Sequence, residues 1–147
     1  MFKPFVEEVI QMKKWRGIIS RFSRSSIAIF LLAGSSAGLA EMTDISQADL
    51  IQRIKTNHTH LILDVRSPQE YAEGHIPGAV NISFDQLSSR LAEIGSYKDK
   101  DVVLYCKSGR RAGIAANTLQ AAGFSKLLHL DGDMNAWLSK GDLPIKK

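Results

Sequence analysis

Short apolar runs recur along the chain from Glu41 onward, and between them the apolar residues repeat at helical spacing. Each run is four or five residues long, which is typical of strands that are buried on both faces of a parallel sheet. The strands predicted in this way are Leu61–Val65, Ala79–Ile82, Asp101–Tyr105 and Lys126–Leu130.

Capping residues and helical spacing predict the helices between these strands. The first helix is expected to open at 44–46, with Ser46 as its N-cap and Leu50 and Ile51 on its apolar face. The others are a helical turn from Ser67–Pro68 to Gly74, a helix over Phe84–Ile94, a helix over Arg110–Ala122 closed by Gly123, and a helix over Asp133–Ser139 stopped by Gly141. This alternation predicts one α/β domain over residues 41–147, with a mainly parallel sheet and helices on both faces.

Charge divides the chain into two parts. Residues 1–40 hold six basic and two acidic side chains, which account for the whole formal net charge of +4. Residues 41–147 carry thirteen basic and thirteen acidic side chains, so the predicted domain is formally neutral. The pI near 9.3 is therefore no argument for nucleic-acid binding, and we expect no nucleic-acid partner.

Residues 1–40 have the order of a secretory signal. A basic stretch from Lys13 to Arg24 precedes an apolar run, and small residues end at Ala40. We predict cleavage after Ala40, export to the bacterial periplasm and no stable membrane association afterwards, with Met12 as an alternative start. An uncleaved anchor and an amphipathic helix on a cytoplasmic protein stay open as alternatives.

Cys106 is the one cysteine in the chain, which excludes an internal disulfide and a cysteine-cluster zinc site. It follows a predicted strand, so it lies at the carboxyl edge of the sheet, where ligands bind in open α/β folds. Free N–H groups at the start of the next helix, together with nearby arginines, favour a thiolate nucleophile. A lone cysteine can also be a small inert core residue, but the polar and basic residues that follow favour the reactive interpretation. Those residues are Lys107, Ser108, Gly109, Arg110 and Arg111.

Three stretches in this order resemble the signatures of the rhodanese family. They are Leu63–Asn81, the loop Cys106–Arg111 of the form Cys-x-x-Gly-x-Arg, and Leu130–Trp137 followed by Gly141–Pro144. One departure is visible, because the chain has Gly132-Asp133 where the closing signature usually has two glycines. We expect this change to alter a loop near the outer wall of the site and to affect substrate access.

The resemblance implies sulfur transfer through a persulfide on Cys106. The donor would be a small anion such as thiosulfate, and the acceptor would be cyanide or a cellular thiol. The loop from Lys107 to Arg111 would bind the donor and stabilise the persulfide, and no metal or organic cofactor is implied. The positive charges of Lys107, Arg110 and Arg111 favour a dianionic donor. We expect a monomer.

Three other functions are alternatives to this one. A non-catalytic persulfide carrier or regulatory binding module is suggested by the altered Gly132-Asp133 step. A phosphatase or arsenate reductase is disfavoured, because related enzymes of those kinds have one more residue between cysteine and arginine than the four between Cys106 and Arg111. A thiol–disulfide oxidoreductase is disfavoured too, since the chain has no second cysteine to resolve a mixed disulfide.

Four further polar residues are assigned roles outside the cysteine loop. Asp64 and Arg66 end a strand predicted beside that of the cysteine. They either position the loop from behind as a charge pair or belong to a structural ion pair, with Glu70 as the partner of Arg66. His75 is expected to be structural, because thiolate attack on sulfane sulfur needs no general base. His129 lies in a predicted strand and is expected beside the core.

Overall fold

The computed structural model describes residues 42–58 and 61–147, and within them five strands form a single sheet. The strands are β1 (Thr43–Ile45), β2 (Leu61–Asp64), β3 (Ala79–Asn81), β4 (Val102–Tyr105) and β5 (Leu127–Leu130). Their order across the sheet is β1-β5-β4-β2-β3, and every neighbouring pair is parallel. The predicted signal segment, residues 1–40, lies outside the described residues.

The edge strand β1 replaces the predicted start of the first helix. Thr43–Ile45 pairs with Leu128–Leu130 of β5 instead of coiling. The helix starts at Gln47, and Ser46 is its N-cap, as predicted, since its hydroxyl accepts the backbone N–H of Asp49. A strand of three residues is too short to show an alternating pattern, so only its pairing with β5 identifies it.

Among the described residues, three α-helices connect strands and a fourth follows β5. They are α1 (Gln47–Lys55), α2 (Pro68–Glu73), α3 (Arg110–Ala121) and α4 (Asp133–Ser139). The predicted helix over Phe84–Ile94 is wrong, because two 3₁₀ helices, Leu87–Ser89 and Leu91–Tyr97, occupy this region. The backbone N–H of Arg90 donates a hydrogen bond to the carbonyl of Leu87, and the Ser89 hydroxyl donates one to the carbonyl of Gln86. Serine side chains that bond locally to the backbone compete with α-helical bonding, although Leu87 and Ile94 still face the core.

The core consists of two layers, one on each face of the sheet. Leu61 and Leu63 of β2 and Leu104 of β4 pack with α3 and the 3₁₀ helices. Ile62 and Val103 face the other side and pack with α1 and α4. Because successive strand residues point to opposite faces, a strand between two layers is apolar along most of its length. The predicted cover of helices on both faces is confirmed.

The carboxyl ends of the parallel strands meet at one edge of the sheet. Asp64 ends β2, Cys106 follows β4 and Asp131 follows β5, so three segments distant in sequence converge there. No helix in the described part of the chain has the length and apolarity needed to cross a membrane.

Candidate active site

Cys106 lies in a loop between the buried strand β4 and the first turn of α3. The backbone N–H of Gly109 donates a hydrogen bond to Cys106 Sγ at 3.1 Å. Gly109 is the N-cap of α3 and has a φ of +94°, a backbone conformation that residues with a Cβ rarely adopt. No side chain caps this helix. Its first backbone N–H groups are therefore free to bind a group attached to the sulfur of Cys106.

The start of α4 orients the peptide groups of this loop. The backbone N–H of Met134 donates to the carbonyl of Cys106, and that of Asn135 donates to the carbonyl of Lys107, both at 3.1 Å. The carbonyl and N–H of a trans peptide point in opposite directions. The N–H groups of Lys107 and Ser108 are therefore directed away from α4, as a sulfur-binding ring of amides requires.

Two features of the closing segment hold α4 in this position. The indole of Trp137 is buried and donates to the carbonyl of Pro144 at 3.1 Å. Gly132 precedes α4 with a φ of +70°, and a Cβ there would clash with the Cβ of Ala136. The closing stretch thus positions α4 so that its first N–H groups reach the cysteine loop.

The three basic side chains of the loop have different surroundings. Lys107 and Arg110 are exposed. Arg111 is partly buried and binds Glu70 with both ends of its guanidinium, Nη1 to Oε2 at 2.6 Å and Nη2 to Oε1 at 2.8 Å. This hydrogen bonding, together with the capping bond from Ser67, outweighs burial and lowers the pKa of Glu70 to about 2. The charge of Arg111 is thus partly balanced by Glu70, while Lys107 and Arg110 carry the positive charge at the rim.

Arg111 also faces the nucleophile. Its pKa is raised first by the hydrogen bond to Glu70, against burial, and further by the nearby charges of Glu70 and Cys106. Glu70 in turn belongs to the capping box of α2, in which it and Ser67 accept each other's backbone N–H groups. The start of α2 therefore holds the arginine against the cysteine.

Asp64 and Arg66 pair with each other, so the predicted pairing of Arg66 with Glu70 is wrong. Arg66 Nη2 lies 2.6 Å from Asp64 Oδ2, and both side chains are buried. Arg66 also donates to the carbonyl of Gly74 at 2.8 Å, and its guanidinium carbon lies 5.6 Å from the ring centroid of Tyr105. Burial opposes the charge of Arg66, but the hydrogen bond to and charge of Asp64 outweigh it and raise its pKa. The pair ties β2 to the turn at Gly74 and packs behind the residue that precedes the nucleophile.

His75 belongs to the scaffold around this turn. Its ring stacks on that of Tyr71 with centroids 3.7 Å apart, and its Nδ1 lies 3.0 Å from the Tyr71 carbonyl. Its backbone pairs with that of Lys146. These contacts give His75 the structural surroundings that the sequence predicts.

Asp133 and His129 join the site without having been predicted as members. Asp133 is 2% exposed, and its Oδ1 accepts the backbone N–H of Cys106 at 2.7 Å. Its Oδ2 lies 2.9 Å from His129 Nε2, and His129 Nδ1 lies 3.1 Å from Asp44 Oδ1. The expectation that the Gly132-Asp133 step forms an outer wall is wrong, because the Asp133 carboxylate lies behind the cysteine backbone.

Sequence signals existed for some of these partners. The departure from the family signature at Asp133 marked that position but not the direction of its side chain. Ser67 followed three residues later by Glu70 is a capping-box pattern. Nothing local distinguishes His129 from an ordinary strand residue. The assembled site offers a cysteine at an uncapped helix start, one backbone N–H donated to its sulfur, and exposed basic side chains beside it. Such a site suits nucleophilic attack on an anion and stabilisation of a charged sulfur adduct.

Comparison with known proteins gives matches that cover this domain. The model of the rhodanese-like domain matches residues 46–140. A sulfurtransferase from Allochromatium vinosum is 38% identical over 104 residues, which span 71% of this chain and 94% of that protein. A putative sulfur carrier protein, YrkF of Bacillus subtilis, is 32% identical over 106 residues, which span 72% of this chain but only 56% of the relative. A solved rhodanese-related protein from Thermoplasma volcanium superimposes with a TM-score of 0.60 at 28% identity, over 71% of this chain and 97% of that one.

Proposed function

The chain belongs to the rhodanese family, whose members include sulfurtransferases and sulfur carriers, and we propose that it transfers the sulfane sulfur of thiosulfate through a persulfide on Cys106. The observation that carries this proposal is the hydrogen bond from the Gly109 N–H to Cys106 Sγ at the uncapped start of α3. A donor placed there stabilises negative charge on sulfur both in the thiolate and in the persulfide.

The first half of the reaction loads the enzyme. The Cys106 thiolate attacks the outer sulfur of thiosulfate and forms a new S–S bond. The S–S bond of the donor breaks, its electron pair leaves with sulfite, and the negative charge of Cys106 is carried by the outer persulfide sulfur. Lys107 and Arg110 are exposed at the rim and attract the dianionic donor.

The second half unloads it. Cyanide or a thiolate attacks the outer persulfide sulfur, the S–S bond to Cys106 breaks, and the cysteine leaves as the thiolate that started the cycle. Thiocyanate or a new persulfide is the product. Two S–S exchanges replace one direct transfer, and neither needs a metal or an organic cofactor.

Intact mass spectrometry tests loading directly. Incubation with thiosulfate should add the mass of one sulfur to the wild-type domain, and subsequent cyanide should remove it with release of thiocyanate. The Cys106→Ser variant should show neither the added mass nor turnover, while Ser139→Ala, a substitution on α4 remote from the loop, should retain both. Thiocyanate formation by Cys106→Ser would exclude Cys106 as the nucleophile.

A sulfur carrier is the second candidate, and the similarity to the putative carrier protein from Bacillus subtilis favours it. The burial of Cys106, whose residue is 1% exposed, also limits access for an acceptor. A carrier would load sulfur but release it slowly to cyanide and small thiols. Fast thiocyanate production under multiple turnover would exclude the carrier and support the enzyme.

Phosphatase and arsenate reductase activities fit the loop less well. Only four residues separate Cys106 from Arg111, and a short ring of amides fits a single sulfur atom better than a tetrahedral oxyanion. We expect no Cys106-dependent hydrolysis of an aryl phosphate and no Cys106-dependent reduction of arsenate. Either activity at rates comparable to sulfur transfer would reverse this ranking.

We further propose that the chain is an exported, monomeric rhodanese of the phage-shock protein E type, without nucleic-acid partners. The signal-like order of residues 1–40 and the formal neutrality of residues 41–147 support this proposal. Cell fractionation with N-terminal sequencing should find the protein in the periplasm, starting at Glu41. Light scattering should give the mass of one copy. A cytoplasmic protein with an intact N-terminus would contradict export.

A further inference from the structure

His129 bridges two carboxylates at the carboxyl edge of the sheet. Its Nε2 lies 2.9 Å from Asp133 Oδ2, and its Nδ1 lies 3.1 Å from Asp44 Oδ1. A neutral imidazole has one N–H and can donate to only one of them, whereas the imidazolium donates to both. The imidazolium therefore satisfies both contacts, which the neutral ring cannot do. The same contacts, first the hydrogen bond to Asp133, outweigh burial and raise the pKa of His129.

The Asp133 end of this bridge contacts the nucleophile's own backbone. Asp133 Oδ1 accepts the Cys106 N–H at 2.7 Å. Standard bond lengths then place Cys106 Sγ within about 6 to 7 Å of that oxygen. Gly109, which donates to Sγ, packs against both partners, since a Cβ there would lie 3.2 Å from Asp133 Oδ2 and 3.6 Å from His129 Nε2.

A buried carboxylate at this place has two opposing effects. Its hydrogen bond holds the Cys106 amide, while its charge repels a thiolate, a persulfide and an anionic donor. Asp133 is 2% exposed, so water screens little of that charge. The cation nearest to it among the described contacts is His129, and this ring therefore decides whether the carboxylate opposes catalysis.

We propose that His129 is a positioning residue that acts through Asp133: it balances the carboxylate that holds Cys106, and its protonated state keeps Cys106 reactive. The donor part of this inference rests on the proposed sulfur transfer, but the effect on the thiol itself does not. The ring faces Asp44 from β1, which is 74% exposed in its side chain, and Asp133 from the start of α4. On the loop, Arg111 with Glu70 also adjoins Cys106.

The direction of the pH effect follows from these contacts. While His129 is protonated, the charges of His129 and Asp133 cancel. As the pH rises through the raised pKa of His129, the ring loses its proton and leaves Asp133 as an unbalanced anion beside the thiolate. The reactivity of Cys106 should therefore be lowered at pH values above the pKa of His129. Removing the charge of Asp133 should abolish this decrease in reactivity.

Alkylation of Cys106 by iodoacetamide, followed by intact mass from about pH 5 to about pH 9, tests this independently of any sulfur donor. The His129→Gln variant should react roughly ten- to a hundredfold more slowly than wild type near neutral pH, because Coulomb's law gives an effect of that order at the stated separation. Asp133→Asn keeps an oxygen acceptor for the Cys106 N–H and suits a φ of +53°. Added to His129→Gln, it should restore the rate to within about threefold of wild type. Asp101→Asn, at the opposite edge of the sheet, is the matched control and should leave the rate of Cys106 alkylation unchanged.

Three outcomes would overturn the inference. They are a His129→Gln variant with the wild-type rate at every pH, a double variant as slow as His129→Gln alone, and a wild-type Cys106 that iodoacetamide does not reach at any pH. Circular dichroism melting checks that each variant is folded, and if Asp133→Asn fails to fold, the His129→Gln profile decides alone. Loss of thiosulfate loading with these alkylation profiles intact would refute the proposed function and leave the role of His129 standing.

Discussion

Replacing Glu70 by glutamine removes the charge that holds Arg111 against the cysteine loop while changing little else. Glutamine retains an oxygen for the Ser67 N–H, which Glu70 Oε2 now accepts at 3.0 Å, so the capping box of α2 survives. What the variant loses is the two-pronged ion pair, whose nitrogen–oxygen distances are 2.6 and 2.8 Å. Its effect therefore reports on the ion pair and not on the helix cap.

The size of the effect follows from the lowered pKa. A pKa that falls from 4.5 to about 2 on folding corresponds to at most about 3 kcal/mol of stability. The side chains of Arg111 and Glu70 are 24% and 28% exposed, so solvent screening reduces this figure. We expect Glu70→Gln to lower the free energy of unfolding by about 1 to 2 kcal/mol at neutral pH.

The pH dependence has a defined sign. Because the pKa of Glu70 is lower in the folded state, its contribution is present in full above the unfolded value of 4.5. It disappears as the pH falls through the folded value of about 2, where Glu70 is protonated in both states. The stabilities of wild type and Glu70→Gln should therefore converge as the pH is lowered through this range.

Urea unfolding followed by tryptophan fluorescence measures this difference at neutral pH and at successively lower pH. Glu93→Gln is the matched control, because it removes the charge from another Arg–Glu pair, formed by Arg90 and Glu93, whose side chains are 37% and 50% exposed. It should leave the free energy of unfolding unchanged within error. In the site variant, loading of sulfur onto Cys106 should also slow, since Arg111 loses the group that orients it.

Equal stabilities of wild type and Glu70→Gln at neutral pH would refute the assigned role of the pair. So would a difference that stays constant down to the acid limit of folding, because a pH-independent loss cannot come from the ionised carboxylate. A loss of the same size in Glu93→Gln would show that a general charge effect, and not the position of Glu70, is responsible.

Two further substitutions test the scaffold. Asp64→Asn leaves the charge of Arg66 buried without its counterion, so urea unfolding should show a loss of about 3 to 5 kcal/mol, and a loss below that of Glu70→Gln would contradict the burial of this pair. Gly109→Ala places a Cβ 3.2 Å from Asp133 Oδ2 at a φ of +94°, whereas Gly123→Ala has a similar φ of +88° and open space. Both variants should lose about 1 kcal/mol of unfolding free energy from backbone strain, but only Gly109→Ala should also slow sulfur loading. Equal loading rates in the two variants would show that the loop tolerates the extra atom.

The main chain of the fold was predictable because its signals are local. A strand buried between two helical layers is apolar along most of its length, which made β2 and β4 recognisable by their runs of Leu, Ile and Val. Ser46 and Ser67 mark helix starts because their hydroxyls accept N–H groups three residues later. The 3₁₀ helices escaped prediction because an apolar spacing of three and four residues does not distinguish them from an α-helix.

The sequence by itself determined the nucleophile and its immediate loop. Cys106, Gly109 and the start of α3 are consecutive in the chain, so strand, turn and helix signals bring them together without further information. The glycine at the N-cap leaves the helix start free for a ligand, and the basic residues that follow give the rim its charge. These features depend on neighbours in sequence, and such neighbours are visible in a single chain.

Only the tertiary structure decided which charges act on that nucleophile. The charge of Arg111 is balanced by Glu70, and Asp133 with His129 lies behind the cysteine although Asp133 is 27 positions further along the chain than Cys106. Parallel strands bring their carboxyl ends together whatever their distance in the chain, and the direction of a side chain there depends on the register of the sheet. Residues that the strand order brings together leave no pattern in the local sequence. The charge balance at this site could therefore be determined only from the tertiary structure.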